Sequence, residues 1–217
     1  MKESTSKEKV LKSIRDALVN RMQVPFADVD VESKLYHTTG DDFLEEAFAK
    51  EFLKAKGKFV FCSEVSDLAE NLQLLLEEAA IKKVYCHEDY LLTLLDSLGA
   101  DVELDKEQIF SCDASVTGCE ALIANHGTIV CSSNNAGRKG MVVPPIHIVV
   151  ATSHQVVESI SEAIDYINEK YGKDKPSLIS FLTGPSRTAD IEKTLVYGAH
   201  GPKELYLFLL DVNATKS

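Results

Sequence analysis

The sequence predicts an α/β protein. The expected form is a three-layer α/β/α arrangement on a mostly parallel sheet, with an inserted β-hairpin and an N-terminal helical arm. Three observations carry this. Short apolar runs alternate with longer segments of helical periodicity through the first and last thirds of the chain. Three of the helical segments close on Gly57, Gly99 and Gly198, as helix C-termini do. The middle third instead holds two apolar runs joined by a turn rich in Asn and Gly. Strands that alternate with helices of this length pair in parallel and bury both faces of their sheet.

The elements follow in order. Val10, Leu11, Ile14, Leu18 and Met22 recur at helical spacing, so Ser6 to Arg21 is expected to be an amphipathic helix that Pro25 ends. A polar connector runs to about Gly40, so residues 1–40 form an arm and 41–217 one α/β domain. Asp41 to Lys56 is the next helix, with Phe43, Leu44, Ala47, Phe48 and Phe52 on one face. A strand at Lys58–Cys62, a Leu-rich helix at Ser66–Ala80, a strand at Lys83–His87, a helix at Tyr90–Leu98 and a strand at Asp101–Leu104 follow. The apolar runs Ala121–Ser132 and Met141–Ala151 flank the turn Ser133–Gly140 and predict the antiparallel hairpin. A long helix is expected over Ser153–Tyr171, with Val156, Val157, Ile160, Ile164 and Ile167 facing in. A strand at Ser177–Thr183, a helix at Thr188–Tyr197 and a strand at Glu204–Asp211 complete the order.

Composition excludes several classes. The 217 residues are 45% hydrophobic and 26% charged, as in an ordinary soluble domain. Lys+Arg number 23 and Asp+Glu 34, a net charge of −11 that argues against a nucleic-acid partner. No apolar stretch approaches the ~20 residues of a membrane helix. The charged segment Met1–Lys9 has no signal core, so the cytoplasm is the expected location. The five cysteines, Cys62, Cys86, Cys112, Cys119 and Cys131, include no C-x-x-C pair, and the histidines no H-E-x-x-H, so no metal or cofactor is expected. Walker, G-x-G-x-x-G and G-x-S-x-G motifs are missing too.

Four segments can carry chemistry. The sharpest is Thr183-Gly184-Pro185-Ser186-Arg187-Thr188, read as a turn between a strand and a helix. Gly184 permits a tight turn, Ser186 or Thr188 a cap, and Arg187 adds a fork for carboxylate or phosphate. Together with free helix N–H groups these make an anion cradle; Arg187 pairing with Asp190 or Glu192 is an equally open reading. Next, Gly198-Ala199-His200-Gly201-Pro202 offers a titratable His200 beside flexible Gly201. On the predicted helix, this loop falls at the opposite end from Arg187, so the two would meet only across a homo-oligomer interface. In the third, Asp113–Glu120 followed by Asn125-His126-Gly127-Thr128 interrupts an apolar run. Such interruptions mark functional sites or bulges. It makes His126, Asn125 and Glu120 candidates for catalysis. Last, Asn134–Gly140 carries Arg138 and Lys139, either anion-reaching groups or a solvated hairpin tip.

The run Thr183-Gly184-Pro185-Ser186-Arg187-Thr188-Ala189-Asp190-Ile191-Glu192, followed by Gly198-Ala199-His200-Gly201-Pro202, resembles the signature of the LUD-domain family, and more closely its lactate utilization protein C type. The resemblance takes in about Leu44 to Asp211. It implies a fold like the NagB/RpiA/CoA-transferase superfamily. It also implies a part in oxidising L-lactate to pyruvate beside iron–sulfur partner subunits; the anion cradle adds a small anionic metabolite as the expected ligand. Thr183, Gly184, Ser186, Arg187, Thr188, His200, Gly201 and Arg138 are then the expected binding residues. Many members resemble A-E-T-G-T where this chain has Ala124-Asn125-His126-Gly127-Thr128. CoA-transferases of the superfamily use a Glu nucleophile, which Asn125 cannot replace. The other readings are a stand-alone enzyme for a phosphorylated sugar or acyl-CoA, with a basic cleft of Arg138, Lys139 and Arg187, and a carboxylate sensor.

Overall fold

The computed structural model describes residues 6–19, 43–188 and 196–212. Helix α1, Ser6–Val19, belongs to an N-terminal unit of its own. The predicted boundary at residues 40–41 lies outside the described residues.

The larger unit holds a six-stranded parallel sheet in the order β1-β12-β7-β4-β2-β3. Its strands are β1 Lys58–Cys62, β2 Lys83–Tyr85, β3 Asp101–Glu103, β4 Ala114–Thr117, β7 Ile146–Thr152 and β12 Glu204–Leu210. Alternation along β7 and β12 splits their side chains between two cores. Ile148, Val150 and Phe208 face helices α3 (Val65–Glu78) and α4 (Asp89–Ser97), where Leu68, Leu72, Leu91 and Leu95 are buried. Val149, Ala151, Leu205, Leu207 and Leu209 face Phe48 and Phe52 of α2 (Leu44–Lys54), whose rings stack at 5.4 Å. Burying a Phe or Leu side chain contributes about 1.5–3 kcal/mol, so these faces dominate the stability.

The second face is shared with a further sheet that the three-layer expectation did not contain. Strands β5 Ala121–Ile123, β6 Thr128–Ser132, β8 Val156–Val157 and β9 Ile179–Leu182 pair in the order β8-β5-β6-β9. Leu122, Ile129 and Cys131 point to the α2 core, while Ala121, Ile123 and Val130 pack on Ala163 and Ile167 of α6 (Ile160–Tyr171). The α/β class and the parallel central sheet hold.

Three local expectations are corrected. The hairpin does not turn at Ser133–Gly140, which is helix α5 with a break at Gly137, started by Ser132 through a reciprocal cap with Asn135. The antiparallel turn instead lies at Ala124–His126, a single 3₁₀ turn between β5 and β6. The long helix over Ser153–Tyr171 is split, because the β-branched pair Val156–Val157 extends along β5. Ser159 then starts α6, leaving Ile160 and Ile164 exposed and Ile167 buried. The ends of the helix expected over Thr188–Tyr197 are strands: β10, Arg187–Thr188, pairs antiparallel with β11, Val196–Tyr197, and residues 189–195 lie outside the described ones. No helix among the described residues is long and apolar enough to cross a membrane.

Candidate functional site

The two halves of the glycine-rich motif are stitched into one loop pair. Ser186 N–H donates to Pro202 O at 2.9 Å, and Gly198 N–H donates to Ser186 O at 3.0 Å. Gly201 lies against Ser186, where a Cβ would come within 3.2 Å of the Ser186 Cβ. The Lys203 N–H reaches Pro145 O at 2.7 Å, which fixes the pair at the amino ends of β7 and β12. The expectation that the His200 loop and the Arg187 loop would be apart within one chain is therefore overturned. It rested on an intervening helix, and the ribbon β10–β11 folds the segment back instead. The helix N-terminus invoked for the cradle is likewise replaced by strand at Arg187 and Thr188. Arg187 and His200 are exposed, and Thr188 and Gly201 half-buried. Thr183 shares a 2.7 Å hydroxyl–hydroxyl hydrogen bond with Thr128. Gly184 takes φ +78°, and a Cβ there would run into the Ala55 carbonyl, so a side chain is strained twice over.

A second polar cluster sits at the carboxyl ends of β2 and β4, where open parallel sheets place ligands. Glu88 follows β2 and opens α4. Its carboxylate accepts from Gly118 N–H at 2.6 Å and from Asn135 Nδ2 at 3.1 Å. Glu120, 1% exposed, accepts from Ser132 Oγ at 2.6 Å, Tyr171 OH at 2.8 Å and Lys170 Nζ at 2.8 Å. Asn135 joins the carboxylates, because its Oδ1 accepts from Ser132 N–H at 2.9 Å.

The two carboxylates are driven apart electrostatically. Burial raises the Glu88 pKa above the ordinary 4.5, with the Glu120 charge adding to it, and outweighs the Gly118 and Asn135 hydrogen bonds. Burial also opposes ionisation of Glu120, but the hydrogen bonds from Lys170, Ser132 and Tyr171 prevail and its pKa is lowered. A proton at neutral-to-acid pH therefore goes to Glu88 before Glu120. Divergent environments of this kind separate an acid–base group from a fixed charge.

The LUD domain model matches residues 44–210. This chain belongs to the LUD-domain family. The LUD domain here is similar to lactate utilization protein C of Geobacillus sp. (strain WCH70), 37% identical over 103 residues, covering 46% of this chain and 43% of that one. The protein of that name from Bacillus subtilis (strain 168) is 36% identical over 103 residues, covering 46% of this chain and 43% of that one. That from Deinococcus radiodurans is 30% identical over 118 residues, covering 54% and 55%. The matches span about half the length of these curated relatives. Among solved structures, a DUF162 family protein from Deinococcus radiodurans superposes with a TM-score of 0.61 at 20% identity, covering 77% of this chain and 96% of that one.

Within the LUD domain the remaining candidates fall apart from one another. Asn125 and His126 form the β5–β6 turn against α2, with Asn125 N–H donating to Glu158 O at 3.2 Å. Gly127 follows at φ +56° and touches the α2 backbone at Phe52, so the turn is a packing joint. Arg138 is exposed and donates from its guanidinium to Ser177 O at 3.2 Å, before β9. Arg187 lies beyond the other end of β9, so the basic cleft of Arg138, Lys139 and Arg187 does not form. Lys139 instead pairs with Glu107 at 3.6 Å.

Glu88, Lys170 and Tyr171 belong to no sequence motif, and Asn135 reads in sequence only as part of a hairpin tip. Glu88 had one signal: a carboxylate directly after an apolar strand and before a helix. The cysteines are all buried and free, and burial pushes the thiols of Cys62 and Cys86 up to about 11, which keeps them protonated and unreactive.

Proposed function

We propose that this LUD domain serves L-lactate utilization, as a component of a cytoplasmic system that oxidises lactate to pyruvate with iron–sulfur partner subunits. It binds a small anionic metabolite at the loop pair of Thr183–Thr188 and His200–Gly201. Two kinds of support converge. The similar proteins named lactate utilization protein C give the biological setting. The observation that carries the ligand reading is the backbone bond from Ser186 to Pro202, which brings the motif halves into one exposed surface that bears Arg187. Arg187 presents a planar fork suited to a carboxylate. Electron transfer is the partners' task, and this domain binds and positions.

The test has two arms. A tagged chain is recovered from cells grown on L-lactate, and the eluate is assayed for iron and lactate-dependent dye reduction. Both are expected together; a single band with neither overturns the role in the complex. Separately, titration of purified protein with L-lactate and pyruvate is compared with Arg187→Ala. Loss of a charge-assisted pair costs about 1.5–3 kcal/mol, roughly 10- to 100-fold in affinity. Unchanged affinity removes the anion site from the loop pair.

A further inference from the structure

The ribbon β10–β11 sets one more side chain beside Arg187. Arg187 lies directly opposite Tyr197, and Thr188 opposite Val196. The bond from Gly198 N–H to Ser186 O at 3.0 Å falls one residue before Arg187. Hydrogen-bonded and non-hydrogen-bonded positions alternate along an antiparallel pair. Arg187 and Tyr197 are therefore of the non-hydrogen-bonded kind, with Cα atoms about 4.5 Å apart and side chains at their closest. Residues directly opposite also share a face. Burial agrees: Arg187 and Tyr197 are exposed, while Thr188 and Val196 on the other face are half-buried.

The two heads differ in character. The Arg187 guanidinium is a planar cationic fork, and among the described residues no ion pair or cation–π contact engages it. The Tyr197 hydroxyl is a neutral group that both donates and accepts. The side chains are of similar length, so both heads stand at similar height over the ribbon. A carboxylate gripped by the fork brings the carbon next to it, and any oxygen on that carbon, within range of the phenol.

We propose that Tyr197 is the specificity residue of this anion site. Its hydroxyl bonds the oxygen on the carbon beside the carboxylate, so the loop pair prefers 2-hydroxy and 2-oxo acids to plain carboxylates. The inference rests on the anion site proposed above and adds the residue that reads the second oxygen. A phenol donates to a keto oxygen and exchanges either role with a hydroxyl, so it serves both oxidation states of one acid. Propionate differs from L-lactate only in lacking that oxygen, and it leaves the phenol to water.

The experiment titrates the full chain, labelled with nitrogen-15, with L-lactate, pyruvate and propionate, and follows amide shifts. Wild type, Tyr197→Phe and Arg187→Ala are compared. Wild type is expected to bind L-lactate and pyruvate about three- to ten-fold more tightly than propionate, the effect of one neutral hydrogen bond. Tyr197→Phe removes a single oxygen from an exposed ring. It should bring all three acids to the propionate affinity and leave propionate itself unchanged. Arg187→Ala should weaken all three together. If Arg187→Ala does so but Tyr197→Phe keeps the preference, the anion site stands and the role of Tyr197 is overturned. Equal affinities in wild type, or weaker propionate binding in Tyr197→Phe, overturn it as well. Unchanged affinities in Arg187→Ala remove the anion site itself, and the role of Tyr197 with it.

Discussion

Gly118 N–H donates to the Glu88 carboxylate at 2.6 Å, tying the end of β4 to the start of α4. The Tyr90 hydroxyl closes over the same glycine, so a side chain at position 118 has no space unless Glu88 and Tyr90 move. The carboxyl ends of two parallel strands are thus coupled through one carboxylate, and its protonation is a property of both.

Glu88 and Glu120 are expected to titrate on opposite sides of 4.5. A carboxyl whose folded pKa is raised stabilises the fold below its unfolded pKa and loses that contribution as pH rises through the folded value. Glu120 has the reverse sign: its contribution is present above 4.5 and is lost as pH falls through its lowered pKa. Side-chain carboxyl carbon shifts followed against pH should show two separated curves, Glu88 above and Glu120 below. Coincident curves contradict the assignment.

Lys170→Met removes one of three donors from a carboxylate that is 1% exposed. Ser132 and Tyr171 remain, so the cost is that of one hydrogen bond to a charge, about 2 kcal/mol at neutral pH. Chemical denaturation at neutral pH and at a pH below the Glu120 pKa should show the loss shrinking as Glu120 protonates.

His147 lends the fold an acid limit. Its folded pKa of about 4 lies below the ordinary 6.5, so the stability it confers is complete above 6.5 and declines as pH falls from there toward 4. The shift corresponds to roughly 3 kcal/mol. Between pH 7 and pH 4, wild type should lose about that much more stability than His147→Gln, measured by urea unfolding. Parallel losses would mean that the ring is not held neutral.

Gly127 and Gly99 both hold positive φ, at +56° and +68°, yet their surroundings differ. A Cβ at Gly127 meets the α2 backbone at Phe52, while at Gly99 it meets open space. Gly99→Ala should cost only the left-handed backbone, about 1 kcal/mol. Gly127→Ala adds displacement of α2 and should cost about 1–3 kcal/mol more. Paired Tm measurements decide it; equal losses would mean that α2 yields freely.

What the sequence makes legible depends on which force fixes each element. Lys58–Cys62 reads directly as a strand, because its apolar residues Phe59, Val60 and Cys62 serve the two cores and little else. Ala114–Thr117 is equally a strand but reads as a polar break, since Ser115 and Thr117 fill its second face. Val156 and Val157 fit a helical stripe with Ile160 and Ile164, and only pairing with β5 shows otherwise. The motif residues Thr183–Thr188 were visible by type, while their meeting with Pro202 depends on how the chain returns. Glu88 stands alone in sequence; Gly118 and Asn135 reach it from 30 and 47 residues away.

The place of β12 in the sheet bears on how the chain assembles. Among the described residues it is the last strand in chain order, yet it lies between β1 and β7. Among the described residues β1 has β12 as its one strand partner, across a gap that includes nearly the whole domain. Until Glu204–Leu210 arrives, β1 and β7 each offer an unsatisfied backbone edge. Pairings of such sequence separation close slowly, and open edges recruit other chains. The lifetime of the nascent protein before β12 docks is therefore a period of high exposure to self-association, and chaperone demand should be concentrated there.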